Sequence, residues 1–98
     1  MGEQIIDKTK EVAEYWGDKM PMMAMEECGE LIQAISKFER KDRKVFEPIE
    51  AEAYTDQARN LIIEMGDVLI SIAALINLYG IPADDVNDYI DDKLRQSK

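Results

Sequence analysis

Histidine is missing altogether from this chain of 98 residues, cysteine occurs once and proline three times. Without histidine there is no Ser-His-Asp triad and no zinc site of the usual Cys/His kind. The Glu-x-x-His pairs of di-iron carboxylate bundles cannot be written either. The lone Cys28 excludes an internal disulfide, and no secretory leader is seen, so a soluble, cytoplasmic protein is expected. Basic residues are scarce: 12 Lys and Arg stand against 21 Asp and Glu, a formal charge of −9. A broad nucleic-acid footprint needs a basic face, so no nucleic-acid polymer is expected as a partner. No apolar run approaches the ~20 residues of a membrane span, and no membrane is expected as a partner. Any metal must be held by oxygen, which favours Mg²⁺, Mn²⁺ or Ca²⁺, and the acidic balance suits a protein that concentrates cations.

What remains is 46% hydrophobic, enough for a globular fold, and the length fits one domain over residues 1–98. A chain this short buries only a modest core, so association with other copies would help it. The hydrophobic spacing predicts an all-α bundle of about four helices. The first covers about Ile5 to Tyr15 and ends near Trp16-Gly17-Asp18. Pro21 opens a second that runs to about Arg40, and residues 41–54 form a long connection. A third spans Thr55 to Leu78, closed by Gly80. Pro82 and the acidic pair Asp84 and Asp85 start a fourth, which ends in Lys93, Arg95 and Lys98 as the helix dipole favours.

Two stretches follow nearly the same script: ECGELIQAI at 27–35 and EMGDVLISI at 64–72. In the second helix Ala24, Cys28, Leu31, Ile35 and Phe38 make an apolar stripe at ~100° per residue, with Cys28 as packing. Glu27 lies at its edge and Glu30 just beyond on the same flank, whereas Glu26 points well away. The third helix is apolar around most of its circumference, and such a helix is normally buried. Against that background Asn60, Glu64, Asp67 and Ser71 form one narrow polar stripe. Ionised carboxylates on a buried helix are costly unless paired or bound to metal. Gly29 and Gly66 each cost ~1 kcal/mol relative to Ala in mid-helix, and each would let a second helix or a ligand approach closely. Brought together, Glu27, Glu30, Glu64 and Asp67 would form a cage of hard oxygen ligands, half from each helix.

These motifs, E-E-x-x-E as Glu26, Glu27 and Glu30 and then E-x-x-D as Glu64 and Asp67, resemble those of the MazG-like all-α nucleoside triphosphate pyrophosphohydrolases, relatives of the dimeric dUTPases. The likeness covers about residues 15–95. It implies Mg²⁺, with Mn²⁺ as a substitute, held by Glu27, Glu30, Glu64 and Asp67, with Glu26 in support. It also implies hydrolysis of a (d)NTP to the monophosphate and pyrophosphate. Glu30 or Glu64 would act catalytically by aligning or deprotonating the attacking water. Lys93 resembles the family lysine that faces the phosphates, but Ser97 stands where relatives often carry asparagine. Trp16 sits where relatives place an aromatic near the base, although a Trp at a helix end also serves as a core anchor. A triphosphate bears about four negative charges, so cations must offset four carboxylates. From the basic cluster Lys37, Arg40, Lys41, Arg43 and Lys44, Lys37 is retained as a phosphate contact.

The apolar girth of the third helix exceeds what one short chain can cover. A homodimer or homotetramer that completes the core is therefore expected. The rival reading is a non-catalytic acidic bundle that binds metal or a protein partner. A structural Ca²⁺ module ranks last, for want of a loop with EF-hand spacing.

Overall fold

The computed structural model describes residues 3–41 and 54–96. Most of the expected 41–54 connection, with Arg43 and Lys44, and also Ser97 and Lys98, lie outside the described residues. The elements are α1 (Glu3–Lys8), α2 (Lys10–Trp16), a 3-10 turn (Gly17–Lys19), α3 (Met20–Lys41), α4 (Asp56–Tyr79) and α5 (Ala83–Gln96). The architecture is all-α, with no strand among the described residues.

The N-terminal part differs from the expected pair of separate helices. The first helix breaks at Thr9, and the chain continues through the 3-10 turn into α3 with hardly a gap, as one long bent helix. Gly17 makes the second bend. It sits at φ 51°, ψ −127°, a region that residues with a Cβ rarely enter. The break at Thr9 has a partner far along the chain. Asn77 of α4 donates through Nδ2 to the Ile6 carbonyl (2.7 Å), to Thr9 Oγ1 (3.1 Å) and to the Ala73 carbonyl (3.3 Å). Thr9 Oγ1 in turn donates to the Ile6 carbonyl at 2.9 Å.

Helix α4 starts and stops by the rules of its sequence. The Thr55 hydroxyl accepts from the Ala58 N–H at 3.1 Å, an N-cap. At the other end Gly80 takes the left-handed conformation (φ 68°), and the amides of Gly80 and Ile81 bond back to the carbonyls of Asn77 and Ile76. That is a Schellman closure. Helix α5 forms as expected, with Asp84 and Asp85 in its first turn and Lys93 and Arg95 in its last, and none of its residues is buried.

Helices α3 and α4 form the main packed pair. Among the buried or half-buried positions, 20, 24, 27, 31, 34 and 38 make one line along α3, and 57, 61, 64, 68, 71, 75 and 78 one line along α4. This spacing of alternate threes and fours marks a seam between two helices. The observed seam corrects the expected stripe: Cys28 and Ile35 are exposed, while Glu27 lies in the contact. Among the described residues eleven hydrophobic side chains are buried and six of them are alanines, so the helices bury little apolar surface. Two small clusters result. Ala34, Phe38, Ala58 and Leu61 form one, with Leu31 and Tyr54 against it. Ala13, Met20 and Ala74 form the other, with Val12, Trp16, Met23, Leu75 and Leu78 alongside.

By length and composition α4 is apolar enough to cross a membrane, with a third of its most apolar window buried. That corrects the expectation that no stretch comes near a membrane span. Glu64 and Asp67 interrupt the apolar run without lowering its average below that of a spanning helix, and the core helix of a soluble protein passes the same test.

Candidate metal centre

The two acidic residues of the seam, Glu27 on α3 and Glu64 on α4, fall between the two apolar clusters. Glu30, one turn after Glu27, completes a trio in which one oxygen of each carboxylate lies within 4.8 Å of the others. Glu27 and Glu64 are half-buried, whereas Glu30 is exposed. Their placement follows from the helices: i, i+3 positions lie on neighbouring turns of one face, and the alanine-lined seam carries Glu64 across to meet them.

The environment is hostile to bare negative charge. Burial, then the charges of Glu30, Asp67 and Glu64, and last a hydrogen bond with Glu30 raise the Glu27 carboxyl above the ordinary range. Glu64 moves the same way through burial, a hydrogen bond with Glu30, and the charges of Glu30 and Asp67. In each of Glu27 and Glu64 the buried Oε2 has no hydrogen-bond partner. Buried polar atoms in folded proteins are nearly always satisfied. Two orphaned carboxylate oxygens aimed into one acidic cluster therefore fit a hard divalent cation, which would neutralise the charge and occupy the lone pairs. The donor set passes the chemical test for Mg²⁺ or Mn²⁺, since all of it is oxygen.

Asp67 stands beside the trio. It lines, with Glu27, a cavity of about 160 Å³ whose other walls include Trp16, Met20, Met23, Ile70 and Ser71. The structure thus brings Trp16 next to the acidic centre, half-buried and edge-on to Tyr15 with ring centroids 5.2 Å apart. The rest of the expected set lies elsewhere. Glu26 is exposed and outside the carboxylate cluster. Lys37 is exposed on α3, two turns beyond Glu30, and Lys93 is exposed on α5. Neither lysine lines the cavity.

Gly29 and Gly66 were expected to admit a close neighbour. Within the chain, an added Cβ at either would meet nothing within 4 Å, so neither marks a tight contact between α3 and α4. Sequence reasoning missed Val12, Met20, Met23 and Ile70 as cavity walls, because apolar residues next to a helix end carry no signal of what they line. It also missed Asn77, whose amide fixes α1 and α2 on α4. An isolated Asn in the apolar run ALINLYG was the available sign.

No solved structure matches the chain. An uncharacterized protein of Bacillus subtilis (strain 168), YvdC, is 42% identical over 72 residues, 71% of this chain and 64% of that protein. The chain therefore spans less than two thirds of that relative's length. The family model for the MazG nucleotide pyrophosphohydrolase domain matches residues 17–98, a span holding Glu27, Glu30, Glu64 and Asp67. On that match the chain belongs to the MazG nucleotide pyrophosphohydrolase family.

Proposed function

We propose that this chain is a Mg²⁺-dependent pyrophosphohydrolase, acting as a single domain, that adds water across a (d)NTP to give (d)NMP and pyrophosphate. The observation that carries this reading is the carboxylate trio with its two buried, unpartnered oxygens. Glu27, Glu30, Glu64 and Asp67 would hold the cation. When bound, the cation supplies neutralisation of the phosphate charge and acidification of water.

The residues of the chain do the rest. Glu30 or Glu64 orients the attacking water and accepts its proton. Glu30 is the exposed member of the trio, within reach of solvent, and the Glu64 carboxyl, like that of Glu27, is pushed up by burial, which makes Glu64 the more basic acceptor. Trp16 offers its ring as a surface for the base, in the cavity that begins at Glu27 and Asp67. Lys37 and Lys93 draw the outer phosphates, with Lys93 reaching a centre in an assembly of copies. The working form is a homodimer or homotetramer, because one chain leaves Ile62, Ile63, Met65, Leu69 and Ile70 of α4 exposed.

The test is pyrophosphate release from a panel of (d)NTPs with Mg²⁺, wild type against Glu64→Gln. Release by the wild type and a loss of at least about 100-fold in the variant, with helicity intact, supports the reading. No release from any nucleotide by a wild type that still binds Mg²⁺ would leave the non-catalytic acidic bundle.

A further inference from the structure

Among the described residues two polar side chains are buried, Thr9 and Ser71, at 4% and 5% exposure. The Thr9 hydroxyl is taken up by the Ile6 carbonyl and the Asn77 amide. Ser71 has no such use. A serine inside a helix can satisfy itself on the carbonyl four residues earlier, yet Ser71 makes no hydrogen bond to Asp67 or to any other described residue. Taking a hydroxyl out of water without a partner is unfavourable. The neighbouring buried positions carry alanine, Ala73 and Ala74, so packing does not account for a hydroxyl at position 71.

At ~100° per residue Ser71 leaves α4 at an angle between those of Glu64 and Asp67. It stands one turn beyond Asp67, ~6 Å further along the axis. With Glu27 and Asp67 it lines the cavity of about 160 Å³. That is roughly half of ~300 Å³, the lower end for a pocket that holds a whole small molecule. One flat ring fits there, and a complete nucleotide does not. Beyond the carboxylates the other walls are Val12, Trp16, Met20, Met23 and Ile70. Such walls suit a base better than a sugar, whose hydroxyls would go unmet against them. The hollow of about 590 Å³ that Ser71 also borders has no carboxylate in its walls, and nothing there would anchor a phosphate through a cation.

We propose that Ser71 is a specificity-determining residue: its hydroxyl exchanges a hydrogen bond with a polar atom on the edge of the base, a ring nitrogen, a carbonyl or an amino group, while Trp16 covers the ring. The unmet hydroxyl is then satisfied by substrate instead of by the chain. Apolar walls discriminate weakly between rings of similar size, whereas one well-placed hydrogen-bonding group in a dry pocket discriminates strongly. Ser71 therefore sets which base is preferred, and the phosphates are left to the carboxylate end of the same cavity. The inference rests on the nucleotide reading above and names the residue that chooses among nucleotides.

The experiment is a calorimetric titration of the full chain with Mg²⁺, wild type against Ser71→Ala. The probes are the α,β-methylene analogues of the four common dNTPs, which resist cleavage between those phosphates, and the α,β-methylene triphosphate of 2-deoxyribose, which has no base. Melting of both proteins in EDTA is measured alongside. In wild type at least one analogue should bind about tenfold more tightly than the base-free probe. Ser71→Ala should lose about tenfold on that analogue, the worth of one hydrogen bond. It should stay within about twofold on the base-free probe and melt no lower than wild type. Unchanged affinity for every analogue removes Ser71 from recognition. Equal losses on the base-bearing and base-free probes put the hydroxyl on the sugar or phosphates, and a midpoint several degrees lower makes it a structural group; either result overturns the proposal and keeps the enzyme. A wild type that binds none of the five probes overturns the pyrophosphohydrolase reading, and this inference with it.

Discussion

Replacing Asn77 by Ala removes the amide that fastens the bend of the N-terminal helix to α4. Its Nδ2 faces three acceptors, at 2.7, 3.1 and 3.3 Å, but carries two hydrogens. The longest contact, to the Ala73 carbonyl of its own helix, is the weakest. The two that matter for tertiary structure cross a separation of about seventy residues, to the Ile6 carbonyl and Thr9 Oγ1. A net ~1 kcal/mol for each gives about 2 kcal/mol. In a domain of this size each kcal/mol moves the midpoint by roughly 4–8 °C, so thermal unfolding by circular dichroism should drop by about 8–16 °C. Thr9 is buried and shares the Ile6 carbonyl with Asn77, so Thr9→Val and Asn77→Ala should be non-additive. An Asn77→Ala midpoint within about 2 °C of wild type, or strict additivity of the two changes, would refute the clamp.

Other outcomes follow from the acidic centre. The folded-state carboxyls of Glu27 and Glu64 are raised above 4.5, so the folded protein holds more protons than the unfolded chain just above that pH. Stability of the metal-free protein should therefore fall as pH rises from about 4.5 through those raised values. Saturating Mg²⁺ should flatten that fall, which midpoints measured from pH 4 to 8 with EDTA or Mg²⁺ would check. For the same reason metal-free Glu64→Gln should melt higher than metal-free wild type, and should gain less from added Mg²⁺. Trp16→Ala should raise KM about tenfold while changing kcat less than threefold, since a stacking surface for the base contributes to substrate and transition state alike; steady-state kinetics on the best nucleotide gives the answer.

How much of this could be read in advance varied with how unusual a residue was for its place. Glu64 and Asp67 stood out because a charge in a helix apolar nearly all round needs a reason. Thr55 and Gly80 announced the ends of α4 through chemistry confined to one turn. The inward face of α3 was less legible: Met25, Ile32 and Ile35 make its outer flank as apolar as its inner one, so periodicity alone could not choose between them. The choice depends on α4, whose small side chains accept Ala24, Glu27, Leu31 and Ala34 and leave Cys28 outside. The break at Thr9 was hidden for a related reason, since its partner Asn77 lies on another helix. Helix α5 was readable as a helix from its caps and charges, yet its neighbours were not, and none of its residues is buried among the described elements.

The alanine-lined seam has one more consequence. Glu27 and Glu64 are held on opposite helices, with Ala34 and Ala58 on one side of them and Ala74 on the other, so in the metal site proposed above the separation of the two backbones would gauge the ion. Mg²⁺ demands oxygens at about 2.0–2.1 Å, whereas Ca²⁺ takes 2.3–2.6 Å and more of them. A methyl or two added at Ala34 or Ala58 would act as a shim, spreading the helices and moving the preference from the smaller ion towards the larger. On the proposed reading, residues that never touch a nucleotide would thereby calibrate the radius of its counter-ion.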